Sequence, residues 1–118
     1  NPEAYRLSAI QLHTAGDPAG ATALLEKALK IQPDNAMVHF NLGLLSAELN
    51  QSAKALQHLQ AAVKYEPQLE DAWYNLVVYY WQMNQLPIAR EKLTEALKSL
   101  PQSRRLRQLA SQMPPITN

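Results

Sequence analysis

A chain of 118 residues with 47% hydrophobic and 18% charged side chains has the length of one ordinary domain and the composition of a folded protein, which excludes a disordered tail or linker. Eleven basic against ten acidic groups leave a formal charge of +1, so the chain as a whole has no electrostatic pull on nucleic acid or anionic membrane. It contains no cysteine, which excludes disulfides, thiolate metal sites and a cysteine nucleophile, and no apolar run approaches the roughly 18 residues that would cross a membrane.

In chain order the sequence divides into repeats of 34 residues, spanning 2–35, 36–69 and 70–103. Pro33, Pro67 and Pro101 mark the period, and so do Ala21, Ala55 and Ala89; Leu25, Leu59 and Leu93; and Ala28, Ala62 and Ala96. Within each repeat the apolar residues follow helical spacing twice, with a polar break at Gly16-Asp17, Asn50-Gln51 and Asn84-Gln85, so each repeat is expected to be two helices. Gly16, Asn50 and Asn84 suit the left-handed backbone that closes a first helix. Pro18 and Pro87 suit the first turn of a second one, and the proline column ends it. The alanine columns fit helix crossings with room only for small side chains.

Beyond Pro101, Ser103 can cap a last helix over about 104–113 in which Leu106, Leu109, Ala110 and Met113 form one apolar stripe. Pro114-Pro115 stops it. A stack of repeats needs an atypical terminal element to cover its last apolar face, and this segment supplies one.

Trp73, Leu76, Val77 and Tyr80, followed by Ala89, Leu93 and Pro101, resemble the tetratricopeptide pattern W-x2-L-G-x2-Y, then A-x3-F, then P. Leu42, Gly43, Ala55 and Pro67 match it in the middle repeat. Ser8, Ala9, Ser46 and Val77 depart from it locally. The resemblance implies an all-α fold, a right-handed superhelical α-solenoid of antiparallel helix pairs, working as a scaffold for protein–protein interaction without cofactors and without catalysing a reaction. Val77 in place of the small glycine implies a wider helix crossing in the third repeat.

The resemblance also places a concave, peptide-binding groove on positions 2, 5, 9 and 12 of the first helices. These are Glu3, Arg6, Ile10 and His13; Met37, Phe40, Leu44 and Ala47; and Asp71, Tyr74, Val78 and Trp81. Arg6, Phe40, Asn41, Leu44, Tyr74, Asn75, Val78 and Trp81 are the expected ligand contacts, with an apolar floor and asparagines able to bond a peptide backbone. Aromatics at positions 5 and 12 also fill space between neighbouring first helices, and both readings stand. Some members clamp the acidic tails of heat-shock chaperones. Ile10, Asp71 and Asn75 stand where that clamp needs asparagine, lysine and arginine, and Asp71 would repel a carboxylate.

Other polar residues read more simply. His13, His39 and His58 occupy unlike positions in their repeats, which argues against shared metal ligation. Glu70 and Asp71 are adjacent on a helix, point about 100° apart, and serve its dipole better than they could flank a bond. Positive charge gathers late, with six basic and two acidic groups over residues 90–107. Arg104 and Arg105 sit at a helix start, where a cation is unfavourable, yet no aromatics are interleaved with them, so a partner-facing cap is expected and not a nucleic-acid site. The partner is then a protein or peptide, with no nucleic acid and no membrane insertion. The chain starts at Asn1 and not at methionine, which fits a self-associating or regulatory C-terminal module of a longer repeat protein as the alternative. Its compartment is left open.

Overall fold

The computed structural model describes residues 1–115 and divides the chain into two compact units, one running from Asn1 to Tyr65 and the other from Glu66 onward. The first unit holds α1 (Pro2–Thr14), α2 (Pro18–Ile31), α3 (Ala36–Glu48) and α4 (Ser52–Tyr65). The second holds α5 (Glu70–Gln82), α6 (Leu86–Ser99) and α7 (Arg104–Gln112). Among the described residues every regular element is a helix, and α1 pairs with α2, α3 with α4 and α5 with α6.

The three first helices end in the same way. Gly16, Asn50 and Asn84 have φ of 89°, 59° and 60°, the left-handed conformation expected of them. Their amides donate to the carbonyls of His13, Ala47 and Trp81 at 3.0, 3.1 and 3.0 Å, and the next amides, of Asp17, Gln51 and Gln85, reach back to Leu12, Ser46 and Tyr80 at 2.8, 2.8 and 2.9 Å. This pair of bonds satisfies carbonyls that the helix end would otherwise leave bare. Pro18 and Pro87 then lie in the first turns of α2 and α6, and the Asp17 side chain accepts the Gly20 amide at 2.9 Å.

Burial follows the repeat columns. Ala21, Leu25, Ala28, Val38, Leu42 and Leu45 join Ala9 in the core of the first unit, with Tyr5, Leu12, Leu24 and Leu29 packed against it. Gly43 shows why small residues stand at helix crossings: a Cβ there would lie 2.8 Å from Leu59 Cγ and 3.3 Å from the Leu59 backbone nitrogen. In the second unit Ala72, Trp73, Leu76, Val77, Tyr80, Ala89, Leu93 and Ala96 are buried, and α7 adds Leu106, Leu109 and Met113.

The start of α7 is tied to the start of α5. Ser103 Oγ accepts the Leu106 amide at 3.1 Å and donates to Glu70 Oε1, while Arg105 Nη1 pairs with Asp71 Oδ1. The two adjacent carboxylates of α5 therefore hold α7, and the unfavourable cation at its N-terminus is compensated by Asp71. At the other end the Arg90 guanidinium donates to the carbonyls of Met113, at 3.1 Å, and Pro114.

A histidine pair lies inside the first unit. His39 Nε2 is 2.8 Å from the Pro33 carbonyl oxygen, which can only accept, so this nitrogen carries the proton. In the neutral ring His39 Nδ1 is then the acceptor, and His58 Nδ1, 3.0 Å away, is the donor. Burial lowers the His58 pKa, His39 lowers it further, and a smaller upward pull from Glu26 is opposed in turn by Lys54. The folded chain thus binds the His58 proton less readily than the unfolded chain does. Stability from this group is present above the ordinary value of 6.5 and is lost as pH falls below it. The melting temperature is expected to drop between pH 7.5 and 5, and His58→Asn, which keeps a donor but cannot titrate, should flatten that dependence. An identical pH slope in the variant would remove the pair as its source.

Candidate functional site

In the first unit the expected groove positions lie on α1 and α3. Arg6 is held by Glu3, with Nε donating to Oε2 at 2.9 Å, and its Nη1 lies 3.5 Å from Asn41 Oδ1. The Arg6 hydrogen bond holds the Glu3 carboxyl below its usual range, and the same contact raises the arginine. Asn41 is therefore oriented by Arg6 through its oxygen. Farther along, His13 Nε2 meets Glu48 Oε2 at 2.6 Å and joins the C-terminal ends of the two helices.

Between these two polar bridges a cavity of about 80 Å³ opens, lined by Ala9, Ile10, Leu25, Asn41, Leu44 and Leu45, with His13 and Glu48 at its edge. Ile10 and Leu44, both in the lining of this cavity, keep 42% and 37% of their surface exposed. An apolar cavity near 150 Å³ holds benzene, so about half that volume suits an aliphatic side chain better than an aromatic ring. Phe40 differs from the exposed floor expected of it. It is 9% exposed and lies outside the lining of this cavity.

In the second unit the face belongs to α5 and α7. Tyr74, Asn75, Val78 and Trp81 are all half-buried. The Asn75 amide donates to the Asp71 carbonyl on its own helix at 2.7 Å, which leaves its side-chain oxygen and its second N–H for a ligand. The Arg105 guanidinium carbon sits 3.8 Å from the centroid of the Tyr74 ring, a stacked cation–π contact. Tyr74, Arg105, Gln108, Leu109 and Gln112 line a polar pocket of about 150 Å³.

Arg105, Gln108 and Gln112 were absent from the expected contacts, although the period could have found them. Adding 34 to Asp71, Tyr74 and Val78 gives these three residues, which occupy positions 2, 5 and 9 of a fourth first helix. Among the described residues no group of three or more histidine, cysteine or acidic side chains comes together, and no helix is long and apolar enough to cross a membrane.

Paired helices, a 34-residue period and left-handed first-helix ends define a helical-repeat protein. The tetratricopeptide repeat family is matched over residues 12–68 and again over 46–113, and the chain belongs to that family. No curated protein sequence matches it. Solved structures do. MamA superposes with a TM-score of 0.79 at 18% identity, over 86% of this chain and 59% of that one. YrrB, described as a TPR protein with an unusual peptide-binding site, gives 0.78 at 22% over 94% and 57%. The first TPR of Spaghetti (RPAP3), bound to the HSP90 peptide SRMEEVD, gives 0.78 at 14% over 93% and 87%. The chain spans somewhat under three fifths of the length of the MamA and YrrB chains, and at these identities the likeness shows the fold alone.

Proposed function

We propose that the chain is a non-catalytic scaffold that holds a peptide segment of a partner protein on the faces of its first helices. The observation that carries this reading is the apolar cavity between α1 and α3, where exposed Ile10 and Leu44 stand beside the oriented amide of Asn41. An inserted aliphatic side chain would bury that surface while Asn41 bonds the ligand backbone. Tyr74, Val78 and Trp81, half-buried on α5, offer the same kind of contact within the second unit. Peptide binding by YrrB and by the RPAP3 repeat domain, on the same fold, favours a peptide over a lipid or nucleic acid, as does the formal charge of +1.

The test begins with a phage-displayed library of random decapeptides selected on the intact chain. A dominant selected peptide should keep most of its affinity between 50 and 500 mM salt, because apolar burial is little screened. Trp81→Ala is expected to cost about 2 kcal/mol or more of binding, and Lys54→Ala, on the exposed side of α4, almost nothing. Melting temperatures of both variants separate contact from collapse. Loss of fold in Trp81→Ala without a specific loss of binding would make Trp81 a core residue. A library that enriches nothing would remove the groove reading.

A further inference from the structure

We propose that the pocket between α5 and α7 binds a carboxylate side chain of the bound segment, with Arg105 as its cationic partner. The inference rests on the peptide-binding reading and adds to it the chemical class of one ligand side chain. It also changes the role of α7, from a lid over the last apolar face to the final wall of the binding surface.

The placement follows from the repeat. Arg105, Gln108 and Gln112 fall at the i, i+3 and i+7 positions of α7, on the face that Asp71, Tyr74 and Val78 occupy on α5. The buried stripe of Leu106, Leu109 and Met113 covers the repeat, and the pocket-lining stripe beside it is entirely polar apart from Leu109. A lid alone needs only the first stripe.

The geometry prepares the arginine for an anion. Stacking on Tyr74 fixes the plane of the guanidinium, and Asp71 engages its Nη1. A guanidinium offers five N–H groups in a fixed fork, so donors remain along its free edge, and 43% of the Arg105 side chain is exposed. Gln108 and Gln112 bring amide donors to the same pocket, whose volume of about 150 Å³ admits a carboxylate side chain together with water.

Charge sets the sign and limits the amount. Arg104, Arg105 and Arg107 lie on α7, which has no acidic residue, and Asp71 offsets one of the three. Glu70, bonded to Ser103, offsets a second, so one net positive charge is left at the head of α7, and a single carboxylate matches it. A polyanion fits less well, because Glu70 and Asp71 lie beside Arg105 and the Tyr74 face that could stack on a base is already covered by the guanidinium. Asp71 therefore acts here as the residue that positions Arg105, and its own charge is paired.

The same random-decapeptide selection reads this inference separately from the groove itself. Peptides selected on the native chain should be enriched in aspartate and glutamate at one position relative to the input library. That bias should vanish on Arg105→Gln and persist on Arg104→Gln, which removes the same charge from the same helix outside the pocket. In fluorescence polarisation the dominant peptide should lose about tenfold in affinity with Arg105→Gln and less than about twofold with Arg104→Gln, a tenfold change being about 1.4 kcal/mol. Should Arg105→Gln melt early, Arg105→Lys keeps the charge without the planar fork, and it should weaken binding at an unchanged melting temperature. A selected consensus without acidic bias would overturn the carboxylate pocket and leave the groove standing. Equal losses from the two glutamine variants would overturn it as well, as a general field effect. An empty selection would remove the groove reading and this inference together. A 20-nucleotide uridine oligomer that displaced the peptide and bound more tightly would assign the pocket to nucleic acid instead.

Discussion

Deletion of residues 104–118 is expected to lower the melting temperature sharply, with the loss falling on the second unit. Leu106, Leu109 and Met113 are exposed by only 0, 3 and 5%, and burying a side chain of this size stabilises by about 1.5–3 kcal/mol. Three of them set a loss on the order of 5 kcal/mol, a large share of the roughly 5–15 kcal/mol that hold a domain together. The deletion also leaves Asp71 without Arg105 and removes the carbonyls that Arg90 engages. Thermal unfolding followed by circular dichroism, beside light scattering to detect association of the bared face, checks this. A truncated chain that melted with the native one and stayed monomeric would show that α7 covers nothing of consequence.

The backbone was legible in the sequence because its demands recur. Gly16, Asn50 and Asn84 are at one place in three repeats since each closes a helix in the left-handed conformation, and that need is local. The alanine columns are legible for a similar reason, as each alanine is wholly buried in its helix pair, where a larger side chain would overpack. Ser103 is equally plain, its hydroxyl serving the Leu106 amide as a helix start requires.

The candidate site was legible only in part, because its side chains answer to partners distant in sequence. Arg105 looked misplaced at the head of α7 until Asp71 and Tyr74, 34 and 31 residues earlier, were seen to hold it. The period reaches α7, but the residue types do not: Ala110 stands where Leu76 does, and Arg107 where Trp73 does, so identity alone hides the shared face. Phe40 was ambiguous for another reason. An aromatic at position 5 can fill space or face a ligand, and only packing decides between them.

His39 and Trp73 share a repeat position, and the structure gives them one task. His39 Nε2 donates to the Pro33 carbonyl at 2.8 Å, and Trp73 Nε1 donates to the Pro67 carbonyl at 2.8 Å. Each bond fastens a ring to the proline that ends the preceding second helix, so in these two repeats position 4 supplies a flat ring with an N–H at its far edge. Trp73 is 7% exposed, and Trp73→Ala should cost about 3–5 kcal/mol, the usual range for removing a buried aromatic. Trp73→His should recover part of that loss, since it places a donor on a smaller ring as the middle repeat does. Trp73→Phe keeps most of the apolar volume and drops the donor, so its deficit reports the bond, about 1–3 kcal/mol if the Pro67 carbonyl is left without a partner. Denaturant midpoints of the three variants, with the slope checked for two-state unfolding, give the order native, then histidine and phenylalanine, then alanine. Trp73→Phe as stable as the native chain would make the hydrogen bond idle. Trp73→His no better than alanine would show that the two rings share a place in the repeat but not a function.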